Sequence, residues 1–249
     1  MHSKHTHLLH LADSTLILGH RNSEWCGHGP ILEQDIAISN ISLDLIGQAR
    51  NLYQYAATLQ SDGSTEDIYA YFRDSHEFRN LLLVEQSNGD WAQTTLRQFL
   101  FSAWQQLFFE KLVDGNDAQL AAIASKSLKE IAYHLRWSSE WVIRLGDGTE
   151  ESHDRMNKAI DNLWSYTDEM FIPSEYEIKL INDANLTDIA LLKDPWMKKV
   201  SSIFEEATLS VPASSLEHTG GKQGKHSQHL DVILKEMQSV ARTDPGAQW

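Results

Sequence analysis

Between Gln34 and Phe171 the chain carries no proline, and only 5 occur in its 249 residues. Proline breaks helices because it lacks an N–H and its ring collides with the preceding turn. A stretch this long without one, interrupted only by a few glycine-bearing loops, points to an all-α protein. The apolar spacing agrees. The steps between Ile38, Ile41, Leu45, Gln48, Leu52 and Tyr55 are three, four, three, four, three, the rhythm of a helix packed along a bundle. No convincing run of alternating strand residues competes with it.

The same reading places four long helices at about Thr6–Ser23, Pro30–Gln60, Trp91–Val113 and Ala118–Leu145. Pro30 suits a first helical turn, the Asn88-Gly89 pair is a turn, and Gly146 is a C-terminal cap. Shorter accessory helices are expected at about Thr65–Glu85, His153–Phe171, Thr187–Leu209 and His226–Val240, with Asn185 or Thr187 capping the third of these. Trp104, Trp137, Trp141 and Trp164 fall on buried faces, and residues 1–249 read as one domain. The histidine-rich start, His2, His5, His7 and His10, reads as a disordered tip.

Composition bounds the partners. A net charge of −14 makes nucleic acid and anionic membrane surfaces poor ones. No apolar run reaches the ~18 residues of a membrane span, and Met1 to His10 lacks the pattern of a signal peptide. A single cysteine, Cys26, permits no internal disulfide, which agrees with a cytoplasmic protein. Cys26 and His28 lack an orienting third group, and no catalytic-serine or dinucleotide-binding motif stands out.

Four long antiparallel helices raise one chemical question. Bundles of this kind hold two metal ions with a carboxylate from each of two helices and a Glu-x-x-His pair from each of the others. Residues at i and i+3 share a helix face, so such a pair aims both ligands at the metal. No Glu-x-x-His occurs on the long helices. The second helix offers Leu45 and Gln48 at that spacing, with Asp44 about 100° away around the axis. The fourth offers Glu130 and Tyr133, with Glu130 and His134 as an i, i+4 alternative. The third has no acid before Glu110, and Asp13 is the central acid of the first. These residues are read as a salt-bridged polar core, with Arg50 and Arg136 as partners.

Several segments carry a resemblance. They are Glu-Trp-Cys-Gly-His-Gly-Pro (24–30), Leu-Asp-Leu-Ile-Gly-Gln-Ala-Arg-Asn (43–51), Arg-Asn-Leu-Leu-Leu-Val-Glu-Gln (79–86) and Lys-Glu-Ile-Ala-Tyr-His-Leu-Arg (129–136). Asn-Gly-Asp-Trp (88–91), Thr-Gly-Gly-Lys-Gln-Gly-Lys-His-Ser-Gln-His-Leu (219–230), Glu-Met-Gln (236–238) and Pro-Gly-Ala-Gln-Trp (245–249) complete the set. Together they resemble the C-type subunits of the bacterial ring 1,2-phenylacetyl-CoA epoxidases of aerobic phenylacetate degradation, over nearly the whole chain. The resemblance implies a ferritin-like four-helix bundle with accessory helices. It also implies a division of labour. A related A-type subunit, the catalytic one, holds a di-iron centre and epoxidises the ring with oxygen. A reductase with flavin and iron–sulfur groups supplies electrons from NADPH. The C-type subunit holds no cofactor and supports the catalytic one. Asp13, Asp44, Leu45, Gln48, Glu130, Tyr133 and His134 are then degenerate metal positions. Two other readings stand beside this one. The first is a di-metal oxidase built on Asp13, Asp44, Glu130 and His134, and the second is a helical module that binds CoA thioesters.

Interface candidates are Trp25, Trp196 and Trp249, which read as loop or end residues. Lys222 and Lys225, among glycines ahead of a helix start, suit either a partner or an anion such as a CoA phosphate, and His226 and His229 lie at metal-ligand spacing. The plainer reading of that run is a loop that packs on the bundle or on a partner. Stoichiometry and self-association are left open by the sequence.

Overall fold

Capping side chains set about half of the helix starts in the computed structural model, which describes residues 2–184, 186–213 and 218–246. In chain order the helices are α1 (His2–Ser23), α2 (Leu32–Thr58), α3 (Glu66–Tyr71), α4 (Leu82–Glu85), α5 (Trp91–Val113), α6 (Ala118–Gly146), α7 (Glu150–Leu163), α8 (Glu175–Ala184), α9 (Lys193–Glu206), α10 (Gln228–Met237) and α11 (Ser239–Thr243). No strand occurs among the described residues. No described helix is long and apolar enough to cross a membrane.

Two compact units emerge. Unit 1 joins residues 1–87 to residues 220–249, and unit 2 is the uninterrupted stretch 88–219. In unit 1, α1 and α2 form a long antiparallel pair, with Gly19 of α1 against Ser42, Leu45 and Ile46 of α2. The α2 seam is buried at Ile38, Ile41, Leu45, Gln48 and Leu52. In unit 2, α5 and α6 form the corresponding pair, and Trp91 meets Trp137 and Trp141 edge-on at 5.8 and 5.6 Å between ring centroids.

The α5 and α6 boundaries follow from their caps. Asp90 accepts from the Gln93 N–H at 3.1 Å, and Asp117 accepts from the Leu120 N–H at 3.1 Å. Elsewhere the structure corrects the sequence reading. The N-terminal histidines are not a disordered tip: α1 begins at His2, His7 and His10 are buried, and His10 Nδ1 lies 2.7 Å from the Arg79 carbonyl. The second helix starts two residues late, because Pro30 and Ile31 stay outside it and Ile31 is extended.

The stretch Thr65–Glu85 is not one helix. Asp74 and Glu77 form a capping box that starts a separate 3₁₀ turn at Ser75–Glu77, and Leu81 is extended ahead of α4. α7 begins at Glu150, earlier than expected, because Thr149 and Ser152 cap each other, and it gives way to 3₁₀ turns after Leu163. α8 is absent from the sequence reading, although Ser174-x-x-Glu177 is a capping signature directly after Pro173. α9 cannot start at Thr187, because Pro195 tolerates only a first turn, so the helix begins at Lys193. It ends where Thr208 takes a left-handed φ of 58°. The last expected helix is two, α10 and α11, the first capped by Ser227. Asn185 lies outside the described residues.

Candidate functional site

The polar centre of unit 1 is built around Asp13, whose side chain is fully buried on α1. Its carboxylate accepts from the Tyr53 hydroxyl at 2.5 Å, from the Arg79 backbone N–H at 2.7 Å and from Arg73 Nη1 at 3.1 Å, and Arg73 Nη2 bonds the other oxygen. Arg73 also donates to the carbonyls of Tyr69 at 2.6 Å and Glu77 at 3.0 Å. Burial lowers the guanidinium pKa, but the charge and hydrogen bonds of Asp13 outweigh it and the net shift is upward. Burial, reinforced by Asp13, holds the Tyr53 phenol well above its usual value. Neutral phenol, carboxylate and guanidinium form a closed set. A salt-bridged core was expected here, but with the wrong arginines. Arg50 lies outside on α2, 3.4 Å from Glu66, and Arg136 lies outside on α6 over the Tyr133 ring.

A second node holds the C-terminal segment in unit 1. Glu85 is fully buried and accepts from Asn80 Nδ2 at 2.9 Å, from the Ser227 N–H at 2.7 Å and from His226 Nδ1 at 2.8 Å. His226 Nε2 faces the Phe78 carbonyl at 3.1 Å. Both ring nitrogens therefore face acceptors, which favours the imidazolium. Burial pulls the His226 pKa down, and Glu85 and the Phe78 carbonyl more than reverse it. Arg21 closes the node by donating to the carbonyls of Glu85 at 3.0 Å and His229 at 2.9 Å.

The degenerate metal positions separate by face. On α2, Leu45 and Gln48 are both buried, and Asp44 is half-buried beside them. On α6 the buried row is Ser127, Ile131, His134 and Ser138. Tyr133 is 37% exposed and Glu130 is only half-buried. The inward i, i+3 pair on α6 is thus Ile131 and His134, one residue on from the expected Glu130 and Tyr133. The interior of α5 presents Gln98, Ser102 and Gln105, with Gln98 Nε2 donating to Ser102 Oγ at 2.8 Å, and Glu110 is exposed. Among the described residues, no three His, Cys, Asp or Glu side chains are grouped as a metal ion requires.

The interface candidates divide as well. Trp25 is half-buried in the loop after α1. Trp196 is 1% exposed, which corrects its reading as a rim residue: Pro195 sits in the first turn of α9, so Trp196 is helical, and its indole donates to the Leu100 carbonyl at 3.0 Å inside unit 2. Lys222 is also a correction, since it is buried in a 3₁₀ turn at Gly221–Gln223, while Lys225 is exposed. The glycine run packs on unit 1: a Cβ on Gly224 would stand 2.2 Å from the His76 carbonyl oxygen. Trp249 lies outside the described residues. An open groove of about 620 Å³ in unit 1 is lined by Ile68, Tyr71, Phe72 and Val240, together with Arg50, Glu66 and Asp67.

Sequence reasoning misses Arg73, Tyr53, Glu85 and the role of His226. The 79–86 and 219–230 segments stand out as motifs, but nothing in either indicates that they meet. His20, in the last turn of α1, is also missed. Burial presses its imidazole from 6.5 down to about 4. The unfolded chain therefore takes up this proton first as pH falls, and stability is lost between those two values. Urea unfolding at pH 7 and pH 4.5 should show His20→Phe losing about 2–3 kcal/mol less than the parent chain over that interval. Equal losses in the two proteins would remove His20 from the acid response.

Comparison with known proteins places this geometry. A family model described as phenylacetic acid catabolic protein matches residues 2–249. The chain is 47% identical over 241 residues to the C-type subunit of the 1,2-phenylacetyl-CoA epoxidase of Escherichia coli (strain K12), covering 97% of each chain. The all-helical fold agrees with the ferritin-like character of that family. Family match and identity both span nearly the whole sequence, and the chain belongs to the phenylacetic acid catabolic protein family.

Proposed function

We propose that this chain is the non-catalytic, structural subunit of a cytoplasmic phenylacetyl-CoA epoxidase complex. In this reading a related catalytic subunit carries the di-iron centre, and a reductase carries flavin and iron–sulfur groups. The relative from Escherichia coli supports membership of such a complex by its name. The observation that carries the non-catalytic part is the pair of buried positions where Glu-x-x-His would be needed. They hold Leu45 with Gln48 and Ile131 with His134. Within unit 1 the pair supplies one amide, and the carboxylate of Asp13 is already taken by Arg73, Tyr53 and the Arg79 N–H; within unit 2 the pair supplies one imidazole. Two irons need several carboxylates to bridge them and neutralise their charge, so neither pair provides its share of a di-iron centre.

The same observation weighs against an oxidase built on Asp13, Asp44, Glu130 and His134, because Asp13 is neutralised within unit 1. The groove beside Phe72 is lined, among the described residues, by Glu66, Asp67 and Asp244 against the single cation Arg50, an acidic balance that makes it a poor seat for a polyanionic CoA. In place of metal chemistry unit 1 offers two buried polar nodes, which tie α1 and α2 to the 73–85 stretch and to the C-terminal segment. The test is co-expression with a tagged catalytic subunit, followed by iron analysis of each separated chain. Iron is expected in the catalytic chain alone, with no oxygen consumption by this chain supplied with reductant and phenylacetyl-CoA. Two irons per copy of this chain would overturn the reading.

A further inference from the structure

α2 has two apolar faces, and only one is used. Opposite the buried seam, Leu32, Ile36 and Leu43 fall within a narrow stripe at 100° per residue, and they are 72%, 54% and 67% exposed. Together they present an apolar patch of a few hundred Å², the scale that marks interaction sites on soluble proteins. Single exposed leucines need no explanation, but three aligned on one helix do.

Gly47 continues the stripe one turn beyond Leu43. It is exposed, it sits inside a 27-residue helix, and a Cβ built on it would meet nothing within 4 Å. Glycine in a helix interior is less favourable than alanine, and here no intramolecular contact requires it. A backbone passing closely over that position would. The rim supplies charge. Glu33 and Asp44 lie along one edge of the stripe and Asp35 along the other. A second copy of this chain, itself at −14, would bring like charge to that rim.

We propose that this outer face of α2 seats a helix of the catalytic subunit, one with an apolar ridge, basic flanks and a backbone that crosses Gly47. The assignment rests on the structural-subunit reading above. The stripe would form the apolar centre of a face of about 800 Å², the usual share of one partner in a stable complex.

Binding of the chain and its variants to the tagged catalytic subunit tests this, with thermal melting of each chain alone. Leu43→Glu is expected to melt like the parent and Gly47→Leu no lower than it, yet both are expected to bind at least about 10-fold more weakly. Gly47→Ala is expected to melt about 2–4 °C higher and still bind more weakly, a combination that a purely structural role for Gly47 does not give. If the parent binds and all three variants bind equally well, the face is wrong. If Leu43→Glu instead splits a dimer of this chain and leaves binding to the catalytic subunit intact, the occupant is a second copy and the assignment is overturned. If the parent chain fails to bind the catalytic subunit, the structural-subunit reading falls first and this assignment falls with it.

Discussion

Replacing Arg73 with alanine should cost unit 1 about 3–5 kcal/mol, measured by urea unfolding at neutral pH. The substitution removes the guanidinium that balances a fully buried carboxylate. Asp13 would keep the Tyr53 hydroxyl and the Arg79 N–H, two neutral donors, which cannot offset an ion taken out of water. Arg73 also ties the carbonyls of Tyr69 and Glu77, so the turn between α3 and α4 should loosen as well. The pair itself is not expected to be worth that much. Most of the cost lies in the orphaned carboxylate, so the double variant Asp13→Leu with Arg73→Met should recover a large part of the loss. A single variant that loses less than about 1 kcal/mol would mean that the core does not depend on this ion pair.

Glu85→Ala should be nearly as severe, at about 3–4 kcal/mol. The carboxylate receives hydrogen bonds from Asn80, Ser227 and His226, the last of them an imidazolium, and its removal leaves these donors facing a void. The sign of its pH dependence follows from His226, whose pKa is raised in the fold. That contribution is fully present below about 6.5, the unfolded value, and is lost as pH rises through the folded one. In Glu85→Ala, burial is no longer opposed by a carboxylate, and the histidine should titrate below its position in the parent chain. Nuclear magnetic resonance titration of the His226 ring reads this directly. An unmoved His226 pKa would rule out the imidazolium–carboxylate pair.

Much of the fold is legible in the sequence because it is written in local signals. Asp90 and Asp117 cap α5 and α6 through their own first turns, and the expected ends of both helices agree with the structure to within one residue. α8 carries an equally local signal in Ser174 and Glu177, but the helix is short and lies directly after Pro173, and a reading based on long apolar runs passes over it. The candidate site is less legible. Asp13 stands out as a central acid, but its counter-ion lies 60 residues away on a segment that reads as one helix and folds as two short helices around a 3₁₀ turn. Spacing alone does not bring residues from different elements together. On α6 a carboxylate draws attention to Glu130, while the buried row through Ile131 and His134 is set by which face the helix turns inward, a property that a one-residue shift disguises. Trp196 is misread for a similar reason: the face that α9 turns inward decides its burial, and its place near a proline in the chain does not show that face.

Unit 1 is interrupted in the sequence, and this orders its assembly during synthesis. Asp13 and Arg73 both leave the ribosome early, and their pairing can form while unit 2 is still being made. Glu85 cannot be completed so soon. Ser227 follows it by 142 residues, a delay on the order of ten seconds or more at ordinary elongation rates. For that interval the carboxylate must stay hydrated and the pocket destined for the 220–246 segment must stand open. The nascent first unit therefore waits with an unfinished wall, whereas the intervening stretch, continuous from Asn88 to Thr219, has every one of its own residues in hand before the final segment emerges.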